Sequence, residues 1–172
     1  VAARAEVTKV ARAVERRYAG RTERPLGFYA GAMAAYGAFS AGAAVLLRRR
    51  RAPLPERIGP ADLALLAVAT QQLTRTVAKD TVASPLRAPF TRFAGSAGPG
   101  EVNEEVVAHG WAHGAGELLT CPFCLSQWVA TGFVVGLVLA PRATRLAASV
   151  LALRAGSDAL QFAYAALESA VE

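Results

Sequence analysis

Leu118 to Ala140 reads LLTCPFCLSQWVATGFVVGLVLA: two cysteines flank a Pro-Phe pair, an apolar run follows, and no Asp, Glu, Lys or Arg interrupts it. As a helix rising about 1.5 Å per residue, such a stretch crosses about 30 Å of hydrocarbon. A second charge-free stretch, PLGFYAGAMAAYGAFSAGAAVLL, runs from Pro25 to Leu47. Composition agrees. Of 172 residues 53% are hydrophobic and 19% charged, and mean hydropathy is +0.30, too apolar for an ordinary small soluble domain. The expected fold class is therefore all-α: an integral membrane helical bundle of about four transmembrane helices with a long interfacial loop. The expected setting is the cell membrane, multi-pass, with the lipid bilayer as partner.

Upstream, residues 1–24 place Ala3, Val7, Val10, Val14 and Tyr18 three and four apart, with Arg4, Lys9, Arg12, Arg16 and Arg17 mostly elsewhere. This is the pattern of a basic amphipathic N-terminal helix, suited to anionic headgroups, a partner helix or solvent. The first apolar stretch is long and lies behind this charged segment, so it reads as a retained span rather than a signal peptide. Residues 25–59 form an added transmembrane anchor and linker. Gly27 and Gly31, continued by Ala34, Ala38 and Gly42, offer a small-residue face for a homo-oligomer or a membrane-protein partner.

A second helix is expected from Pro60, with Asp62 in its first turn, to about Lys79. Gln71, Gln72 and Arg75 must then face protein or the interface. Residues 80–117 read as one long polar connection through SPLRAPF, GSAGPGEVNEE and HGWAHGAGE. The third span carries Gly132, Gly136 and Ala140 and is stopped by Pro141 and Arg142. A fourth runs from about Leu146 to Leu167, interrupted by Arg154 and Asp158.

The run ADLALLAVATQQLTRTVAKDTVASPLRAPFTRF, followed by GPGEVNEE, GELLTCPFCLSQWVATG, APRATRLAASVLAL and SDALQFAYAAL, resembles a bacterial membrane family catalogued as domain of unknown function 1360. That family includes a small sporulation-related protein. The resemblance covers roughly Ala61 to Leu167 and implies a compact multi-span module over residues 60–172. It also implies an Arg-x-Pro-Phe element at Arg87, Pro89 and Phe90, and a GELL-x-C-x-x-C-x-x-x-W element at Gly116 to Trp128. It supplies no reaction.

Three chemistries remain open for the cysteines. Cys121 or Thr120 can cap the third helix with Pro122 in its first turn, a purely structural role. The helix start also favours a thiolate at Cys121, with Cys124 placed to resolve a mixed disulfide, which makes the two a candidate catalytic redox pair. With His109 and His113 they complete a four-ligand set of the kind that takes zinc. No other cofactor is expected. Glu117 can tune the thiols or pair with an arginine, and Trp128 can anchor at the interface.

Arg154 and Asp158, four apart, can pair inside the bundle. Arg75, Asp80, Arg87 and Arg92, with Lys79, can form an anion or headgroup site. The net charge of +6 raises nucleic acid as a partner, but the arginines flank apolar segments without a nucleic-acid motif, so none is expected. With four spans, counting basic residues gives a narrow lead to an inside, cytoplasmic loop, against the outside cluster Arg48 to Arg51. No hydrolase elbow, Walker loop or dinucleotide fingerprint occurs, and enzyme status stays open. The function expected is a structural or interaction module of the membrane; the alternatives are a thiol-redox protein or a zinc-binding variant.

Overall fold

A computed structural model describes residues 2–19 and 24–170, so Arg21 of the expected basic segment lies outside the described residues. Helix α1 (Ala2–Ala19) precedes α2 (Leu26–Arg49) and α3 (Pro60–Lys79). A 3-10 turn (Thr81–Ala83) and the short α4 (Ser84–Arg87) lead into strands β1 (Thr91–Gly98) and β2 (Glu101–Val106). Helices α5 (Trp111–Thr120), α6 (Pro122–Leu139) and α7 (Pro141–Ser169) follow. Pro60, Pro122 and Pro141 each open a helix, where the missing N–H has no partner to lose. Pro141 therefore starts α7, earlier than expected, as well as ending α6.

The contacts fix the direction of each long helix. Tyr36 on α2 meets Gln127 and Thr131 on α6, while Leu46 and Arg50 sit near Val138 and Leu139, so α2 and α6 run the same way. On α3, Leu66 near the helix start packs with Leu137 and Phe133 near the end of α6, so α3 runs against α6. Asp62 at the start of α3 grips Arg145 at the start of α7 through two 2.8 Å bonds, and α7 runs with α3. Leu66, Ala69, Leu137 and Ala148 form the buried core, with Phe133 and Leu151 against it. The alanines let α3 and α7 approach closely. At the α6–α7 corner, a Cβ on Gly136 would stand 2.8 Å from Thr144 Oγ1.

Two expectations need correction. The all-α reading misses a two-stranded antiparallel sheet, and residues 80–117 are folded rather than a long loop. Gly95, Gly98 and Gly100, at φ 145°, 143° and 74°, supply the bulges and the turn that let Thr91 pair with Val106 and Gly98 with Glu101. Among the described residues, only α2 and α6 are long and apolar enough to cross a membrane, not four helices. Gln71, Gln72 and Arg75 lower the hydropathy of α3, as Arg145, Arg154 and Asp158 do that of α7. Gly27, Gly31 and Gly42 meet open space, so the small-residue face of α2 is left uncovered within the described chain.

The start of α2 docks on α5 through Phe28, which is buried and stacks edge-on with Trp111 at 5.0 Å. A Cβ at Gly114 would collide with the Phe28 ring. Gly114→Ala should therefore lower stability in detergent by about 1–3 kcal/mol. Gly31→Ala should leave it unchanged or raise it by up to about 1 kcal/mol, since open space adds only helix propensity. Melting curves check the pair, and equal effects would contradict the Phe28 seat.

Candidate functional site

α4 ends in Arg87, whose side chain is fully buried. A buried guanidinium must have partners for its fork of donors. Nε and Nη2 hold the two Glu104 oxygens at 2.8 and 3.0 Å, and Nη1 donates to the Val77 carbonyl at 2.6 Å. Nη2 also donates to the Asp80 carbonyl at 3.0 Å. Those carbonyls lie at the C-terminal end of α3, where the helix leaves acceptors unpaired, so Arg87 caps α3 while fastening β2. Ser84 and Thr91 hydroxyls donate to the same carboxylate at 3.1 and 3.0 Å. The Arg87 bonds above all hold the Glu104 carboxyl below its usual range, against burial, which pushes it up.

Beside this clamp, a cleft of about 510 Å³ opens between α3, α7 and the hairpin tip. Arg154 donates to Asp80 and, at 2.7 Å, to Thr76 Oγ1. Gln72, itself buried, donates to Asp158 at 3.2 Å, and Arg75 grips Glu101 with two nitrogens. Arg154 and Asp158 approach only to 4.0 Å, because Asp80 at the end of α3 offers the closer carboxylate. The structure thus gathers Arg75, Asp80, Arg154 and Asp158 in one place. Arg87 and Arg92 stand apart from it: Arg87 is sealed in the clamp, and Arg92 pairs with Glu105 on the exposed hairpin face at 3.0 Å.

Cys121 sits between α5 and α6 with extended backbone, φ −106° and ψ 101°, as the N-cap of α6. Its sulfur accepts the Cys124 N–H at 3.1 Å, while the Thr120 hydroxyl turns back to the Gly116 carbonyl. The two cysteines form a disulfide. Cys124 is the exposed member and Cys121 is half-buried, so the sulfur more open to attack is the one expected to resolve. Phe123 between them is 88% exposed.

The zinc set does not assemble. Among the described residues no three His, Cys, Asp or Glu side chains gather to hold a metal ion, and the cysteines engage each other. The glycine-rich segment folds as α5, whose rise sets His113 about 12 Å from Cys121 along the axis. His113 bonds the Ala108 carbonyl through Nδ1 at 3.1 Å, with Nε2 3.6 Å from Glu117; His109 stays in the loop before α5. Glu117 accepts from Tyr29 Oη and Arg24 Nη1, tying α5 to the start of α2. Trp128 packs edge-on against Tyr36 at 5.4 Å and near Phe39, joining α6 to α2.

Sequence reasoning missed Glu101 and Glu104. For Glu104 the signal was present in β2, where Val102, Glu104 and Val106 alternate with Asn103 and Glu105. A carboxylate in the inward row of a strand calls for a buried cation.

A family model described as a protein of unknown function, DUF1360, matches residues 65–164, taking in the clamp, the cysteine pair and most of the cleft. No curated protein and no solved structure matches.

Arg87→Met leaves Glu104 buried and unpaired and should cost about 3–5 kcal/mol. Because the folded carboxyl of Glu104 is held below its unfolded value, its stabilisation is complete above the ordinary carboxylate range and is lost as pH falls through the folded value. Thermal melts across that acid window should show the slope in the wild type and a reduced slope in Glu104→Gln. Parallel profiles would contradict the clamp.

Proposed function

The chain belongs to the DUF1360 family of proteins of unknown function, and from that premise we propose that it is a multi-pass membrane protein whose cysteine pair performs thiol–disulfide exchange at one membrane face. The carrying observation is the Cys121–Cys124 disulfide, closed across the first turn of α6 with Cys124 exposed. A membrane setting is supported by the apolar windows of α2 and α6, of which 0% and 6% are buried within the chain. Apolar helices left this bare need lipid around them. Since α2 and α6 run the same way, α3 has to return the chain across the same thickness, and its 20 residues reach about 30 Å. α7 runs beside it as the fourth helix. Gln72 and Thr74 are buried on α3, while Gln71 and Arg75 on the same helix are exposed.

In the exchange, a partner thiolate attacks the exposed Cys124 sulfur and the S–S electron pair leaves on Cys121. The positive end of α6 stabilises that thiolate. A second partner thiolate attacks its own sulfur in the mixed disulfide and expels Cys124. The partner ends as a disulfide and the pair as two thiols, with two electrons and two protons transferred. A scaffold role through homo-oligomers or a membrane-protein partner is a second reading, favoured by the open faces of Gly27 and Gly31.

Glutathione buffers of graded potential should interconvert disulfide and dithiol reversibly in the intact protein. Cys121→Ser should accumulate a mixed disulfide on Cys124. A pair that stays oxidised across the range, or a variant that traps nothing, would refute the exchange.

A further inference from the structure

We infer that the groove between the ends of α2 and α6 binds an anionic phospholipid, with its phosphate on Arg50 and an acyl chain along the aliphatic wall; the inference rests on the multi-pass reading above and not on the exchange. The groove encloses about 380 Å³ and is lined by Leu46, Arg50, Ala52, Pro53, Val138 and Leu139. It sets one cation against an otherwise apolar wall. Arg50 follows Leu46 by four residues, so it stands about 6 Å nearer the linker along α2. Because α2 and α6 run the same way, this is the end of both helices, and Leu46 and Val138 lie toward the hydrocarbon. Acyl chain, glycerol and phosphate follow one another in that order in a phospholipid.

The charge at this end lacks a counter-charge. Residues 48–62 and 139–145 hold seven arginines against two carboxylates. Asp62 is spent on Arg145. Arg48, Arg49, Arg50 and Arg51 are exposed, and neither Glu56 nor any other carboxylate among the described residues pairs with them. The hairpin end differs, since Arg24, Arg75, Arg87, Arg92 and Arg154 each hold a carboxylate. An anion arriving at those arginines would have to displace one, whereas at the linker end it supplies what is missing. Cations at the end of a crossing helix meet headgroups, and a guanidinium takes a phosphate through two parallel hydrogen bonds.

The backbone marks the same place. Among the described residues, Arg51 is the one non-glycine residue with positive φ, at 48°. It closes α2 with the Ala52 N–H donating to the Leu47 carbonyl at 3.1 Å and its own N–H to the Arg48 carbonyl at 3.0 Å. Glycine takes that left-handed position without strain and arginine does not. A strained arginine flanked by two groove residues, Arg50 and Ala52, points to its charge, which glycine would not supply. Free phosphate or a nucleic-acid backbone has nothing to place against Leu46, Val138 and Leu139.

The test uses the full chain, delipidated in a neutral detergent, and a fluorescent phosphatidylglycerol, with phosphatidylcholine of the same chains as the comparison. Phosphatidylglycerol should bind about tenfold tighter, and Arg50→Ala should weaken it about fivefold. Arg51→Gly should weaken it as well while raising the melting temperature of the lipid-free chain, because glycine relieves the backbone. That variant separates lost binding from lost folding. Arg57→Ala and Arg142→Ala, outside the groove, should change the affinity less than about twofold.

Equal affinity for the two lipids, unchanged binding in Arg50→Ala or Arg51→Gly, or equal losses in all four variants overturns the inference, the last by reducing it to diffuse surface charge. Displacement of the bound lipid by a DNA duplex at matched phosphate overturns it in favour of nucleic acid. The membrane reading is tested apart. Release of the wild type from cell membranes by alkaline carbonate removes that reading and this occupant together, whereas a chain retained in the membrane that shows no lipid preference in detergent loses only the groove.

Discussion

The fold turns on the bond between Arg87 and Glu104. Neither group has water to fall back on, so each depends on the other and on the hydroxyls and carbonyls around them. Those partners come from the end of α3, from α4 and from both strands of the hairpin. Breaking the pair leaves a charge in the interior, which is why one contact can bind four segments that share little apolar area. The hairpin tip reinforces it, since the Thr81 N–H donates to the Gly100 carbonyl at 2.9 Å.

From that anchor the same end of the bundle fills with polar chemistry. The hairpin seats on α5 where a Cβ at Gly116 would come within 2.8 Å of Val106. α5 in turn holds the start of α2 through Glu117 and delivers Cys121 to the start of α6. The ion pairs Arg75–Glu101 and Arg154–Asp80 lie at this end as well. The opposite end has the Asp62–Arg145 pair and the linker, and between the two lie the apolar bodies of the helices. Charge thus lies toward the ends of α2 and α3, while α7 carries Arg154 and Asp158 midway along its length.

The long helices were legible because their signals are local. Charge-free runs marked α2 and α6, and Pro60 with Asp62 marked α3. The Cys121 cap and Pro122 start could also be read from residue types alone. The hairpin was hidden, because GSAGPGEVNEE has the composition of a flexible connection and its glycines reveal their role only once two strands are paired. The site was half legible. Arg75, Asp80, Arg154 and Asp158 stood out as charges in or beside apolar helices, and they do share a cleft. Gln72 stood out too, as a glutamine that had to face protein, and it meets Asp158; Glu101 and Thr76 did not, since pairing across helices depends on tertiary geometry. The four-residue spacing of Arg154 and Asp158 pointed to a pair that the nearer Asp80 largely displaces.

In the proposed topology α3 returns the chain across the membrane, so that the hairpin and the cysteine pair face one side and the linker after α2 faces the other. Sidedness measures this directly. In a background with both native cysteines changed to serine, single cysteines at Ala94 in the hairpin and Pro53 in the linker can be labelled with an impermeant maleimide, in intact cells and after permeabilisation. Opposite accessibility is expected for the two positions. Labelling of both from the same side would contradict it.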